Sequence, residues 1–527
     1  MKLFSFIAPL YKRALKSKAL SNYQKIVSSL AFLLPFSIYL LTLAPTVTWR
    51  DSGEFIAACY TLGIPHPTGY PLYVLLGKLF TFLPLGDFAY RLNLMSAFFA
   101  AITCFLVYHI AYHFTKKVVP AFGSALFLAF SFTFWSQALI AEVYSLNALF
   151  LSLLILLLIK WLKSKKKSFL YLFALILGLS FANHASTIFI VPAALVFIGL
   201  VDFKTLLKKT PILFGLFLLG LSPYLYLPIR SAQNPPLDWG NPETLQQFFF
   251  HVSAAQYRNL MFSASSAHLL GQLNQFRMAI GNEFTIVGSF LGIIGIMSFI
   301  ALKKEQPKKL VGKFLLLILI FLADLIYTIN FYIPDGQPFY IPSYVIFALF
   351  IGSGIAFLLD LAGTLFSFKK AVIFPISALL CLGPPLYALT RHYSYVDLSD
   401  FYEASEYGES AFQNMEDNAL VFTSYDGPTF VLWYFQHVVT KRKDVTIISM
   451  PLLRYEWYLE NIKISSPQLN ILEPQANRSL VSKLVAANLA NHPVYFFFPE
   501  EPPSFLQKYK LLKAGPLHRI LPSSAEE

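Results

Sequence analysis

The chain has 527 residues, 56% of them hydrophobic and 13% charged, with a mean hydropathy of +0.58. A soluble protein of this size would carry about 25% charged residues, so the composition excludes one and reads as an α-helical polytopic membrane protein. The net charge of +13 predicts no nucleic-acid partner, because lysine and arginine in such a chain are retained on the cytoplasmic side.

The N-terminal MKLFSFIAPLYKRALKSKALSNYQK is basic. Its apolar run is too short for a cleavable signal, and it reads as a cytoplasmic segment. A membrane span needs about 20 apolar residues. Hydropathy predicts eleven transmembrane segments, at 26–44, 92–114, 118–134, 143–162, 168–182, 186–201, 211–228, 284–302, 310–330, 339–361 and 371–390. With the N-terminus inside, the inner loops hold Lys116-Lys117, the run Lys160 to Lys167, Lys204 with Lys208-Lys209, Lys303 to Lys309, and Lys369-Lys370. The outer loops hold few basic residues, chiefly Arg50, Arg91, Arg230, Arg258 and Arg277. This asymmetry predicts an external C-terminus and a membrane domain over 1–390.

The first outer loop, 45–90, contains TVTWRDSGEFIAACYTLGIPHPTGYPLY (Thr46 to Tyr73). Asp51 and Glu54 are three residues apart, so on a helix they share a face. Gly63 to Pro71 is too rich in glycine and proline for regular helix. Two readings stay open. Asp51 and Glu54 can form a capping box that opens a short helix, or they can be acid–base groups of a reaction site.

Other polar features fall on the same side. They are Glu142 and Tyr144 at the edge of a turn, Asn183-His184 at a helix end, Asp238-Trp239-Gly240 and Gln256-Tyr257-Arg258 in the long outer loop 229–283, and Asp335 in IPDGQPFY. Within the spans, Asp324 is nearly the only deep acid, Asp360 lies near the inner surface, and neither has an obvious basic partner. Alternating-access transporters place polar groups near the midplane of several spans. A one-sided site is therefore expected. Arg91 and Arg230 can anchor to headgroups or hold a phosphate bidentately. His109 and His113 have a metal-ligand spacing but no third ligand nearby, and read as interfacial. The three cysteines, Cys59, Cys104 and Cys381, show no metal or disulfide spacing.

From 391 to 527 charge returns. Residues 419–424, 445–450 and 494–498 read as buried strands, with helices over Pro428 to Val439 and Ser479 to Asn491 between them. This order predicts βαβ units with a parallel sheet in an extracytoplasmic α/β domain. Asp426-Gly427 follows the first strand, where open sheets bind ligands; an ordinary capped β-to-α turn is the alternative. Asn477 begins a glycosylation tripeptide.

Taken in order, WRDSGEF-x5-TLGIPHPTGYPLY, RLNLMSAFFAA, TFWSQALIAEVYSLN, LPIRSAQNPPLDWGNPETLQQF and FYIPDGQPFYIPSY resemble a family of bacterial and animal membrane proteins. That family was long catalogued as a domain of unknown function. Its animal member is a secretory-pathway protein O-mannosyltransferase, and it looks like part of the GT-C superfamily. The tail's TSYDGPTFVLWYFQHV and DVTIISMPLLRYEWYLEN resemble the outer domain of bacterial members, with SYDGP where those usually read GDNDT. HPTGYPLY stands for the usual HPPGYPLY. The resemblance implies an essential acid in the first outer loop, by position Asp51, with Glu54 as the second.

The resulting expectation is a GT-C-like transferase, inverting and metal-independent, in the bacterial plasma membrane or, in a eukaryote, the endoplasmic reticulum. It moves a sugar, mannose being one candidate, from a polyprenyl phosphate to a protein, lipid or glycan hydroxyl on the outer face. Asp51 is the base, Glu54 its helper, and Arg91 and Arg230 hold the lipid phosphate. His66, Tyr70, Glu142, Tyr144, His184, Trp239 and Asp335 line the site. No cofactor is expected, since the lipid-linked sugar is a substrate. The alternatives are a flippase of lipid-linked sugars, which needs no base, and a scaffold that depends only on its tail.

Overall fold

The computed structural model describes residues 22–263, 265–301, 307–331, 333, 336–365, 370–440, 442–471, 479–498 and 501–522. The basic N-terminal segment to residue 21, Asp335 and the tripeptide at Asn477 lie outside the described residues.

Every predicted apolar segment is helical, but the span count differs. Among the described residues seven helices are long and apolar enough to cross a membrane, and eight if the bent pair Val118–Ala129 and Phe132–Ala138 is one span. The eleven predicted segments exceed this count at three places, one of them 371–390, whose helix Lys370–Val396 has Pro375, Pro384 and Pro385 inside and is not among the eight. The segment at 168–182 is a 15-residue helix, Lys167–Phe181, too short to span by itself. The segments at 186–201 and 211–228 are two helices that meet at a non-helical Asp202 within the run Ile190–Gly220, and the count takes that run once. There the Asp202 carboxylate takes the Thr205 amide at 3.0 Å and its hydroxyl at 2.7 Å, capping the second arm. A similar break at Thr285 (φ 65°) splits Ser266–Ala301. Its first arm, polar enough to read as loop, is helix.

The helices pack closely where both partners are small. A Cβ on Gly295 would lie 1.8 Å from the Phe350 carbonyl oxygen, and one on Gly354 2.0 Å from that of Leu291. Backbones meet there directly, as in small-residue helix contacts within membranes. The deep acids are structural. Asp324 accepts from the Ser343 amide (3.0 Å) and hydroxyl (2.6 Å). Glu283 accepts from the Thr133 amide (2.9 Å) and hydroxyl. Each binds the orphan amides at a helix start, the partner that a search for a base could not find. Asp360 does have a cation, Lys117 at 2.8 Å. His109 pairs with Ser28 at 2.9 Å, and no His/Cys/Asp/Glu group able to hold a metal occurs among the described residues.

The tail forms a five-stranded sheet of order β2-β1-β3-β5-β4, with β1 Leu420–Thr423, β2 Thr446–Ser449, β3 Val494–Phe497, β4 Tyr509–Ala514 and β5 Leu517–Pro522. The three predicted strands are present and parallel, with β1 central. The sequence reading missed the antiparallel β4–β5 hairpin. Its signal is Gly515-Pro516, with Gly515 at φ 61°, in a two-residue turn of the kind that joins paired strands.

The tail is not a separate bead. One apolar core runs from Phe55, Ile56, Tyr73 and Trp239 into Phe430, Val431, Val421 and Phe496. The first outer loop and the tail's helix Asp426–Tyr434 are thus packed as one body.

Candidate active site

The helix Ser52–Thr61 is the site's base. Its residues from Ser52 to Cys59 are all buried, because tail, loop and bundle each cover a face. Gly53 makes this possible: a Cβ there would sit 2.3 Å from the Phe430 carbonyl oxygen. The helix ends at Leu62 in the left-handed region (φ 56°).

The capping box does not form. Asp51 occupies the N-cap position, yet its side chain makes no cap hydrogen bond. Glu54, the third helical residue, turns to the loop instead. Its Oε1 accepts the His66 amide at 2.8 Å, and its Oε2 meets His66 Nδ1 at 2.5 Å. On the far side of that ring, Nε2 lies 3.1 Å from the Tyr70 hydroxyl. The proline-rich loop serves to carry His66 back over the helix. Tyr70 at its end adopts φ 41° before Pro71 starts the next helix. A genuine capping box occurs elsewhere, Thr244 with Gln247.

Electrostatics bind the cluster together. Burial pushes Glu54 up toward its neutral form, against the pull of His66. Burial would lower His66, but the carboxylates of Glu54, Asp51 and Glu142 outweigh it and raise the imidazole to about 9. Both directions mean that the pair keeps a shared proton through neutral pH. Burial, then Asp51, pushes Glu142 up, which favours the neutral acid. Asp426 is raised by burial and by Asp51. Tyr257 is raised by burial, Glu54 and Asp51.

Asp51, Glu54, His66, Tyr70 and Glu142 are therefore brought together, with Tyr257 from the long loop and Asp426 from the tail. Asp426 is the first helical residue after Tyr425, which holds the N-cap position. The capped-turn reading had masked its proximity to Asp51. Trp239 reaches the cluster because Ile64 and Asp238 form a β-bridge; its ring lies 6.0 Å from His66. His184 packs against Tyr144 (5.6 Å) and Tyr70 (6.1 Å), while its Nδ1 accepts from the Ser186 amide as a cap.

Arg91 and Arg230 are occupied by backbone. Arg91 donates to the carbonyls of Leu85 (2.9 Å), Thr81 (2.5 Å) and Gly86 (3.1 Å). Arg230 donates to Leu62 (2.6 Å) and Thr61 (3.0 Å), at the end of the site helix, and to Gln233 Oε1 (2.7 Å). Arg230→Ala removes these cap bonds. It is expected to lower the melting temperature, each lost charge-assisted bond being worth about 1.5–3 kcal/mol, with a smaller change in donor affinity. Melting curves and donor titration of the same preparation check this. A large affinity loss at unchanged melting temperature would return Arg230 to the phosphate.

Two domain families match the chain. The Protein O-mannosyl-transferase TMEM260 N-terminal domain matches residues 51–206, and TMEM260-associated domain 2 matches residues 404–489. The chain is 24% identical to Protein O-mannosyl-transferase TMEM260 of Mus musculus, over 96% of this chain and 75% of that protein. It is 25% identical to the tmem260 protein of Dictyostelium discoideum, over 92% of this chain and 65% of that one. Among solved structures, the fold resembles ArnT from Cupriavidus metallidurans bound to undecaprenyl phosphate, at TM-score 0.61 and 11% identity, over 95% of this chain and 99% of that one. The apo form matches at TM-score 0.63 and 12% identity, over 93% and 96%. The first domain match begins at Asp51 itself, and the second covers the helix that packs on Gly53. The chain thus carries two domains similar to those of the TMEM260 O-mannosyl-transferases, on a fold similar to that of ArnT.

Proposed function

We propose that this protein transfers a sugar from a polyprenyl phosphate to a hydroxyl, with Asp51 as the general base. The observation that carries the reading is the unused carboxylate at the helix start. Asp51 is half-buried, makes no cap bond and stands among Glu54, His66, Glu142 and Asp426. A purely structural Asp at an N-cap would bind the helix amides.

In the proposed step the acceptor hydroxyl gives its proton to Asp51. Its oxygen forms a bond to the anomeric carbon as the bond to the phosphate oxygen breaks, inverting that centre. Polyprenyl phosphate leaves as the anion. Negative charge grows on the leaving phosphate and needs a preorganised cation. The protonated His66 is one. Arg50 is another, held at φ 67° beside Asp51 and felt by Glu142. Backbone strain of this kind gathers at functional sites. The donor class is supported by the undecaprenyl phosphate named with the ArnT structure, and a mannosyl group and protein hydroxyl by the relatives' names. The lysine-rich opposite loops support an outer-face site with a cytoplasmic N-terminus.

The test is incubation of purified protein with lipid-linked mannose and other lipid-linked sugars, following release of polyprenyl phosphate. Release that requires Asp51 supports the reading. No release from any of them, with lipid-linked sugar crossing vesicle membranes instead, would assign a flippase.

A further inference from the structure

Beside the catalytic cluster lies a cleft of about 400 Å³ between the long loop and the tail. The inner wall is Glu54 and Trp239. Trp457 faces Trp239 with ring centres 5.7 Å apart and planes 34° from parallel, and Trp433 completes an indole surface. Around it stand Asp238 and Asn461. Asp238 is 7% exposed, and its Oδ1 has no hydrogen-bond partner although its Oδ2 takes the Ser231 hydroxyl at 2.9 Å. A buried acceptor left open in this way calls for a donor from outside the chain.

We infer that this cleft binds a saccharide ring. A pyranose has an apolar C–H face, which suits an indole, and a rim of hydroxyls, which suits a carboxylate and an amide. The volume lies in the range of small-molecule sites. An extended peptide added to the edge strand β2 is disfavoured at this place. The Val445 carbonyl already accepts from Gln436 at 2.6 Å, and the Ser449 amide already donates to the Tyr458 hydroxyl at 2.8 Å. The inference deepens the transfer reading, because Trp239 is shared by the cleft and the His66 ring. The bound ring then belongs either to the donor sugar or to a sugar carried by the acceptor.

The experiment uses the full chain in detergent or nanodiscs. Methyl α-mannoside, methyl α-glucoside and short mannose oligosaccharides are titrated against tryptophan emission, and the same probes are tested by saturation-transfer NMR on the wild type. Saturable binding is expected, weakened about tenfold or more by Trp457→Ala and largely kept by Trp457→Phe. If Trp457→Ala still hydrolyses lipid-linked sugar with water but loses transfer, the site holds the acceptor's sugar; if it loses both, the donor's. Wild type that binds none of the probes, that binds only a Ser/Thr peptide, or that binds them as well after Trp457→Ala overturns the inference. Saccharide binding without any release of polyprenyl phosphate would instead leave the cleft standing and sink the transfer reading.

Discussion

Asp51→Asn is expected to lower turnover about 10²-fold or more while leaving expression and the melting curve nearly unchanged. Asparagine fits the same position and cannot take a proton at neutral pH. The structure sharpens the control. Because the Asp51 side chain makes no cap bond, Asp51→Ala lacks the roughly 1 kcal/mol penalty of a lost cap, and both variants should melt with the wild type. Glu54→Gln should damage turnover less than Asp51→Asn if Glu54 acts only by holding His66. Wild-type turnover in Asp51→Asn would move the base to Glu54, Glu142 or Asp426.

His66→Ala should be the most destabilising single change at the site. It strips Glu54, a fully buried carboxyl, of its partner. Breaking a buried pair in this way costs on the order of 3–5 kcal/mol. The pH dependence gives an independent signature. The folded His66 is raised from 6.5 to about 9, so the native state holds a proton that the unfolded chain releases. Its stabilisation is full below pH 6.5 and is lost as pH rises toward 9. Burial of Glu54 acts in the same direction. The wild-type melting temperature should therefore fall between pH 6.5 and 9, and His66→Ala should lose most of that slope. On the transfer reading proposed above, turnover should fall on the alkaline side as well, as His66 loses the charge assigned to stabilising the leaving phosphate. A flat wild-type melting profile across this window would show that the pair holds no extra proton.

Much of this protein is legible in its residues because membrane and helix periodicity are local properties. Each apolar run is a helix, and the three buried strands of the tail lie where their β-branched and aromatic residues put them. The stretch from Asp51 to Tyr70 stood out from its acids, glycines and prolines alone. What the residues could not decide was which partner each polar group would choose. Asp51 and Glu54 fit a capping box by spacing, and only the return of the loop offers Glu54 the amide and the imidazole of His66 in place of the Asp51 amide. Arg91 and Arg230 carry the right charge for a phosphate, yet the nearest acceptors are carbonyls at the ends of turns and helices. The apolar runs around Asp202 read as two segments, and two helices do meet there, the second opened by the Asp202 carboxylate on the Thr205 amide. Asp426 lies 375 positions from Asp51 along the chain. It meets the site because Gly53 lets the tail's helix press its backbone onto the site helix, a contact set by the absence of one Cβ and visible only once both helices are in place.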